Sequence, residues 1–193
     1  MIAEMNRIGM VVDVSHAGER TSLDAIEKSA APVIFSHSGC KAVYDNPRNI
    51  TDEQIRACAA SGGVVGIVGL TEFLGDATQG TMQQLLRHIT HVSKLVGAAH
   101  VGIGFDYYTG TLPYTSLETQ EKDYAEMLVS GDTDGLPPPP WTNIPELETP
   151  ALMTNLTKAL LAAGFNEEEV KGIWGENFLS VFKRVWKPVG GRS

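Results

Sequence analysis

Four short apolar runs constrain this chain more than any other feature. They are MVVDV at 10–14, PVIF at 32–35, GVVGIV at 63–68 and HVGIG at 100–104. Each is rich in Val or Ile, and none alternates apolar with polar residues. A strand with one wet face alternates; a strand covered on both faces does not, and such strands belong to parallel sheets. Helical patterns separate the runs. Residues 20–29 carry Leu23 and Ile26 with few breakers. Thr51 is a good N-cap for the helix that opens with the acidic pair Asp52 and Glu53. Residues 80–96 place Met82, Leu85, Leu86, Ile89, Val92 and Leu95 at helical spacing. The order β-α-β-α-β-α-β predicts a parallel sheet with crossover helices.

After the fourth run the character changes. Residues 111–150 hold LPPPPW and eight acidic residues, and read as a long excursion with one helix near 118–129. Two helices then close the chain between 150 and 187. The first has Thr149 as cap, Pro150 in its first turn and Gly164 as stop. The second opens with a capping-box pair, Asn166 and Glu169, and carries a stripe of Val170, Ile173, Trp174, Phe178, Val181, Phe182 and Val185.

Composition removes some classes of function. Fifteen basic and 23 acidic residues give a formal charge of −8, which argues against nucleic acid as a partner, since phosphate binding needs a basic surface. No apolar run reaches the ~20 residues that span a membrane. The opening MIAEMNRIGM lacks the basic region and apolar stretch of a signal peptide, so a cytoplasmic location is the expectation. Cys40 and Cys58 are read as thiols, because two cysteines in helix and loop contexts make no disulfide framework.

In parallel α/β folds, functional residues gather at the C-terminal ends of strands. The first run ends at His16, the second at His37 and the fourth at Asp106. A lone histidine at a strand end is more often a polar cap than a ligand. Two on neighbouring strands with a carboxylate on the same rim match the donors of a zinc site equally well. Arg48, eleven positions after His37 in DNPRN, is either a solvated loop arginine or a planar clamp for a substrate carboxylate. His88 and His91 stand at i, i+3 on a helix and are expected in the outer helix layer. His100 opens a strand at the opposite rim and reads as structural. The glycines at 62, 63, 102 and 104 read as tight turns and close packing, not a phosphate loop.

In order along the chain, NRIGMVVDVSH, APVIFSHS, NPRNITDEQIRA, GGVVGIV, HVGIGFDYY and IWGENFLSVFKRV resemble the renal (membrane) dipeptidase family of zinc metallopeptidases. The resemblance runs from about residue 5 to residue 186. It implies a (β/α)8 TIM-type barrel, of which this chain holds about the last four β/α units plus the C-terminal helices. It implies hydrolysis of dipeptides by a metal-activated water at a two-zinc site. It implies His16 and His37 as ligands of one zinc, Asp106 as the catalytic carboxylate and Arg48 as the residue binding the substrate's carboxylate. The family's other zinc uses a His-x-Asp pair, and no His-x-Asp occurs here. Tyr108 stands where many members carry a second aspartate. The chain therefore carries part of the site and is expected to need a missing N-terminal half-barrel or self-association. The rival expectations are a non-catalytic half-barrel assembly module and an amidohydrolase acting on another amide.

Overall fold

The computed structural model describes residues 1–75, 80–106, 116–131, 133, 135–142 and 144–187. A short helix α1 (Ile2–Ile8) precedes three β/α pairs: β1 (Val12–Asp13) with α2 (Glu19–Lys28), β2 (Val33–Ser38) with α3 (Asp52–Ala60), and β3 (Val65–Val68) with α4 (Met82–Val96). Then come β4 (Val101–Gly104), α5 (Leu117–Ser130), α6 (Thr154–Ala162), α7 (Glu167–Lys171) and α8 (Asn177–Val185). The four strands form one parallel sheet in the order β1-β2-β3-β4.

Local chemistry accounts for several boundaries. Thr51 caps α3 and Thr81 caps α4, each in a reciprocal capping box with a glutamine three residues on. Asn166 and Glu169 do the same for α7. Two boundaries differ from the sequence reading. Thr149 makes no side-chain cap; a 3₁₀ turn at Pro150–Leu152 intervenes before α6 begins. The last helix is interrupted by a π turn at Gly172–Glu176, where Gly175 leaves helical geometry. Immediately after it, the Asn177 side chain donates to the carbonyls of Ala98 and Val101, at 2.9 and 2.7 Å. The break re-aims the helix so that this amide reaches the start of β4.

The sheet's two faces pack differently. Val33, Phe35, Val65, Ile67 and Val101 join the large core beneath α2, α3 and α4, with Leu85, Ile89 and Val92 fully covered. Ile34, which points the other way from its strand neighbours, belongs to a second, smaller cluster with Val64, Val181 and Val185. That cluster is built by α8. The Phe178 ring lies against Gly66 and Gly102, where a Cβ would collide with it or with the Ser36 carbonyl. Burying Val181 and Val185 there contributes roughly 1.5–3 kcal/mol each. Arg184 donates to the carbonyl of Gly62, in the loop that enters β3, and Lys187 to that of Arg7, in the last turn of α1 just before β1. Helix α8 therefore crosses the N-terminal ends of the strands, and the opposite end is left for the site.

Cys40 and Cys58 are buried free thiols, as expected. Burial pushes both up to about 12, so neither is a thiolate at neutral pH.

Candidate metal centre

The first strand is only two residues long, yet it organises the rim. Asp13 accepts from the backbone N–H of Ser15 (3.0 Å) and of Ser36 (3.1 Å). Burial works against its charge, but these bonds and the two serine side chains outweigh it and hold the carboxyl below its usual range. Ser15 Oγ accepts from the His37 N–H at 3.1 Å, and Ser36 Oγ lies 3.3 Å from Ser15 Oγ. This carboxylate-and-hydroxyl web joins the β1 and β2 ends and sets where His37 stands. The second strand extends to Ser38, so His37 lies within it rather than beyond it.

His37 is half-buried between two defined partners. Its Nδ1 is 2.8 Å from Ser36 Oγ. Its Nε2 is 2.8 Å from His16 Nε2, with the ring centroids 4.9 Å apart. Burial lowers the His37 pKa; Asp106 pulls it up, while Arg48 and His16 push it down. The ring is thus kept neutral, the form that binds metal. With Nδ1–H donating to Ser36 Oγ, its Nε2 lone pair points at the same space as that of His16. The donor set fits a borderline-soft metal that takes imidazole nitrogen. Among the described residues, no group of three or more His, Cys, Asp and Glu side chains gathers to hold a metal. The pair offers two donor nitrogens, not a full ligand set.

His16 and Asp106 share a further property. They are the only described non-glycine residues with positive φ, at 61° and 60°. Such backbone costs of order 1 kcal/mol or more and persists where the surroundings enforce it. Asp106 follows β4, is exposed, and its charge is felt at His37. Tyr108 lies outside the described residues, as do Asp132 and Asp134 of the acidic excursion.

Arg48 is buried, with 8% of its surface exposed, and is not a solvated loop side chain. Its Nη2 donates to the His37 carbonyl at 3.1 Å and its Nη1 reaches Ser38 Oγ at 3.4 Å. The guanidinium carbon is 5.8 Å from the centroid of the Phe73 ring. Asn46 Oδ1 accepts from the Arg48 N–H and so shapes the loop. Arg48 and His16 both line a cavity of about 240 Å³ between the β1–α2 and β2–α3 loops.

The remaining histidines stand apart. His88 and His91 lie on α4 in the helix layer, as expected, and His88 is fully buried there. Its Nδ1 accepts from the Cys40 N–H at 2.8 Å, and its Nε2 pairs with the Leu74 carbonyl at 3.1 Å. His91 lies 2.7 Å from Asp52. His100 bonds the Gly63 carbonyl at 2.8 Å, consistent with its structural reading. Sequence reasoning missed Asp13, Ser15 and Ser36; the period-two placement of Asp13 and Ser15 was the available signal. It also missed Glu72, which is 1% exposed and accepts from the Thr142 N–H at 2.7 Å. Burial pushes its carboxyl up. No composition or spacing cue marked it.

Four parallel strands joined by crossover helices, with imidazoles, a carboxylate and a guanidinium at their C-terminal rim, form a segment of a TIM-barrel-type fold. The family model for membrane dipeptidase (Peptidase family M19) matches residues 1–130. The chain belongs to this family. A dipeptidase of Claviceps purpurea (strain 20.1), tcpJ, is 30% identical over 186 residues, 96% of this chain and 37% of that protein. The crystal structure of an amidohydrolase from Pseudomonas aeruginosa superposes with a TM-score of 0.81 at 30% identity, over 96% of this chain and 55% of that one. A metallo peptidase from Rhodobacter sphaeroides, liganded with a phosphinate mimic of the dipeptide L-Ala-D-Ala, gives 0.74 at 26% identity, over 96% and 45%. The chain thus spans about a third of the curated relative's length and about half of each solved chain.

Proposed function

We propose that this chain supplies one wall of a zinc dipeptidase centre. His16 and His37 hold one zinc, Arg48 binds the carboxylate at the substrate's C-terminus, and Asp106 handles the proton during hydrolysis of the peptide bond. The observation that carries the reading is the convergence of His16 Nε2 and His37 Nε2 to 2.8 Å beside the buried Arg48. Bound zinc would lower the pKa of water towards neutrality and so supply a nucleophile.

The chain's own residues prepare that chemistry. Ser36 Oγ, 2.8 Å from His37 Nδ1, accepts the Nδ1 proton in the tautomer that leaves Nε2 for the metal. Arg48, locked to the His37 carbonyl, couples the position of a bound carboxylate to that of the ligand histidine. Held in place, a substrate reacts as if at high effective concentration. Asp106, exposed after β4 and felt at His37, takes a proton and returns it to the leaving amine in this reading. The dipeptide mimic on a structural neighbour supports this substrate class. In the complete family site a second zinc and its His-x-Asp pair would come from outside these residues.

The test is zinc content and solution mass of the purified chain together. About one zinc per chain or fewer is expected, and His37→Ala should weaken zinc binding at least ~100-fold with the fold retained by circular dichroism. Two tightly bound zincs in a compact monomer would place the remaining ligands within this sequence and overturn the assignment.

A further inference from the structure

The cavity beside the histidine pair carries more positive charge than a single carboxylate requires. Arg48 enters it from the β2–α3 loop, and so does Lys41. The Lys41 backbone is fixed: its N–H donates to the Ile50 carbonyl at 2.8 Å, next to the bridge between Cys40 and Ile50. Its amine is held loosely. Its partner carboxylate, Asp45, is 3.9 Å away and 86% exposed, and such a pair contributes little. Glu19 is the one acidic residue in the lining, and its carboxylate accepts from Thr51 Oγ1 at 3.4 Å. Two cationic residues therefore line the cavity with one acidic residue, whose carboxylate is already engaged by a hydroxyl.

The cavity's size matters as much as its charge. Its 240 Å³ holds about eight waters, more than a carboxylate alone would fill. Val14 and Ile50 supply an apolar part of the wall, suited to a short methylene stem.

We propose that this cavity receives the side chain of the substrate's C-terminal residue and that Lys41 makes it select an acidic one. The ligand class is then a peptide ending in aspartate or glutamate, with one carboxylate on Arg48 and the other on Lys41. This rests on Arg48 being the clamp for the terminal carboxylate. Two cations on one loop repel each other in the empty cavity, and a dianion relieves that repulsion while a monoanion relieves half of it.

The experiment is calorimetric titration of the chain with N-acetylglutamate and with its neutral isostere, N-acetylglutamine. N-acetylglutamate should bind about fivefold more tightly at low salt. In Lys41→Met the two ligands should bind alike, and in Glu19→Gln the preference should grow. Equal binding of both ligands by the native chain, abolished by Arg48→Gln, would overturn the acidic preference and leave the clamp standing. A preference that survives Lys41→Met would remove Lys41 from the role. Failure of either ligand to bind the native chain would overturn the clamp and this inference with it.

Discussion

Two histidines in this chain share a direction of pKa shift and nothing else. His88 lies on the buried face of α4 with no exposed surface, and both ring nitrogens meet backbone groups, the Cys40 N–H and the Leu74 carbonyl. Burial takes its pKa down to about 4. His37 is half-buried on the rim; one nitrogen meets a serine hydroxyl and the other a second imidazole. A ring whose nitrogens are both spent on the backbone is a staple between segments. A ring with one nitrogen steadied by a side chain and the other aimed at a second lone pair is poised for a ligand. Desolvation alone does not separate the two; the identity of the partners does.

The comparison is most exposed at the staple. His88→Leu leaves the Cys40 N–H and the Leu74 carbonyl buried without a partner, which should cost about 2–3 kcal/mol of stability in urea unfolding at neutral pH, with zinc binding per folded molecule unchanged. Acid provides a second route to the same group. Because the folded pKa lies below the unfolded value of 6.5, the unfolded chain binds the proton first. The contribution of the neutral ring is whole above pH 6.5 and is lost as the pH falls towards 4, at about 1.4 kcal/mol per pH unit. That acid limb should be shallower in His88→Leu; an identical limb would mean that another group controls it.

At the site the expected effects are smaller. Ser36→Ala removes the acceptor for the His37 Nδ1 proton and should weaken zinc binding about tenfold, measured by competition with a chromophoric chelator. An unchanged affinity would show that the hydroxyl does not hold the tautomer. Smallest of all, Asp106→Gly relieves the φ of 60° and should raise stability by up to about 1 kcal/mol. If the aspartate has the role proposed, that gain comes at the expense of function.

The sheet was legible because fully covered parallel strands leave an unbroken Val and Ile signature. The helix starts were legible at Thr51 and Asn166, where side chain and backbone answer each other over three residues; the matching cap at Thr81 was not read from the sequence. The rim histidines were legible from their places at strand ends. What escaped depended on contacts distant in sequence. His88 meets Cys40 across 48 positions, and Glu72 meets Thr142 across 70; nothing local in either segment announces the pairing. The π turn at Gly172–Glu176 escaped because it serves the Asn177 amide, whose acceptors lie on β4 and before it. Arg48 was legible as a candidate clamp, but its burial was not, since that is decided by the Phe73 ring and the His37 carbonyl around it.

Helix α8 has a consequence for the order in which the molecule is made. It closes the underside of strands that leave the ribosome long before it does. Until residues 177–185 are synthesised, Ile34, Val64 and the bare backbone of Gly66 and Gly102 have no cover on that side. A nascent chain stalled after β4 therefore displays an apolar surface of the kind that chaperones hold and that aggregation exploits. Completion of the last helix covers that surface, and the Lys187 contact with the Arg7 carbonyl ties the end of the described chain back to α1.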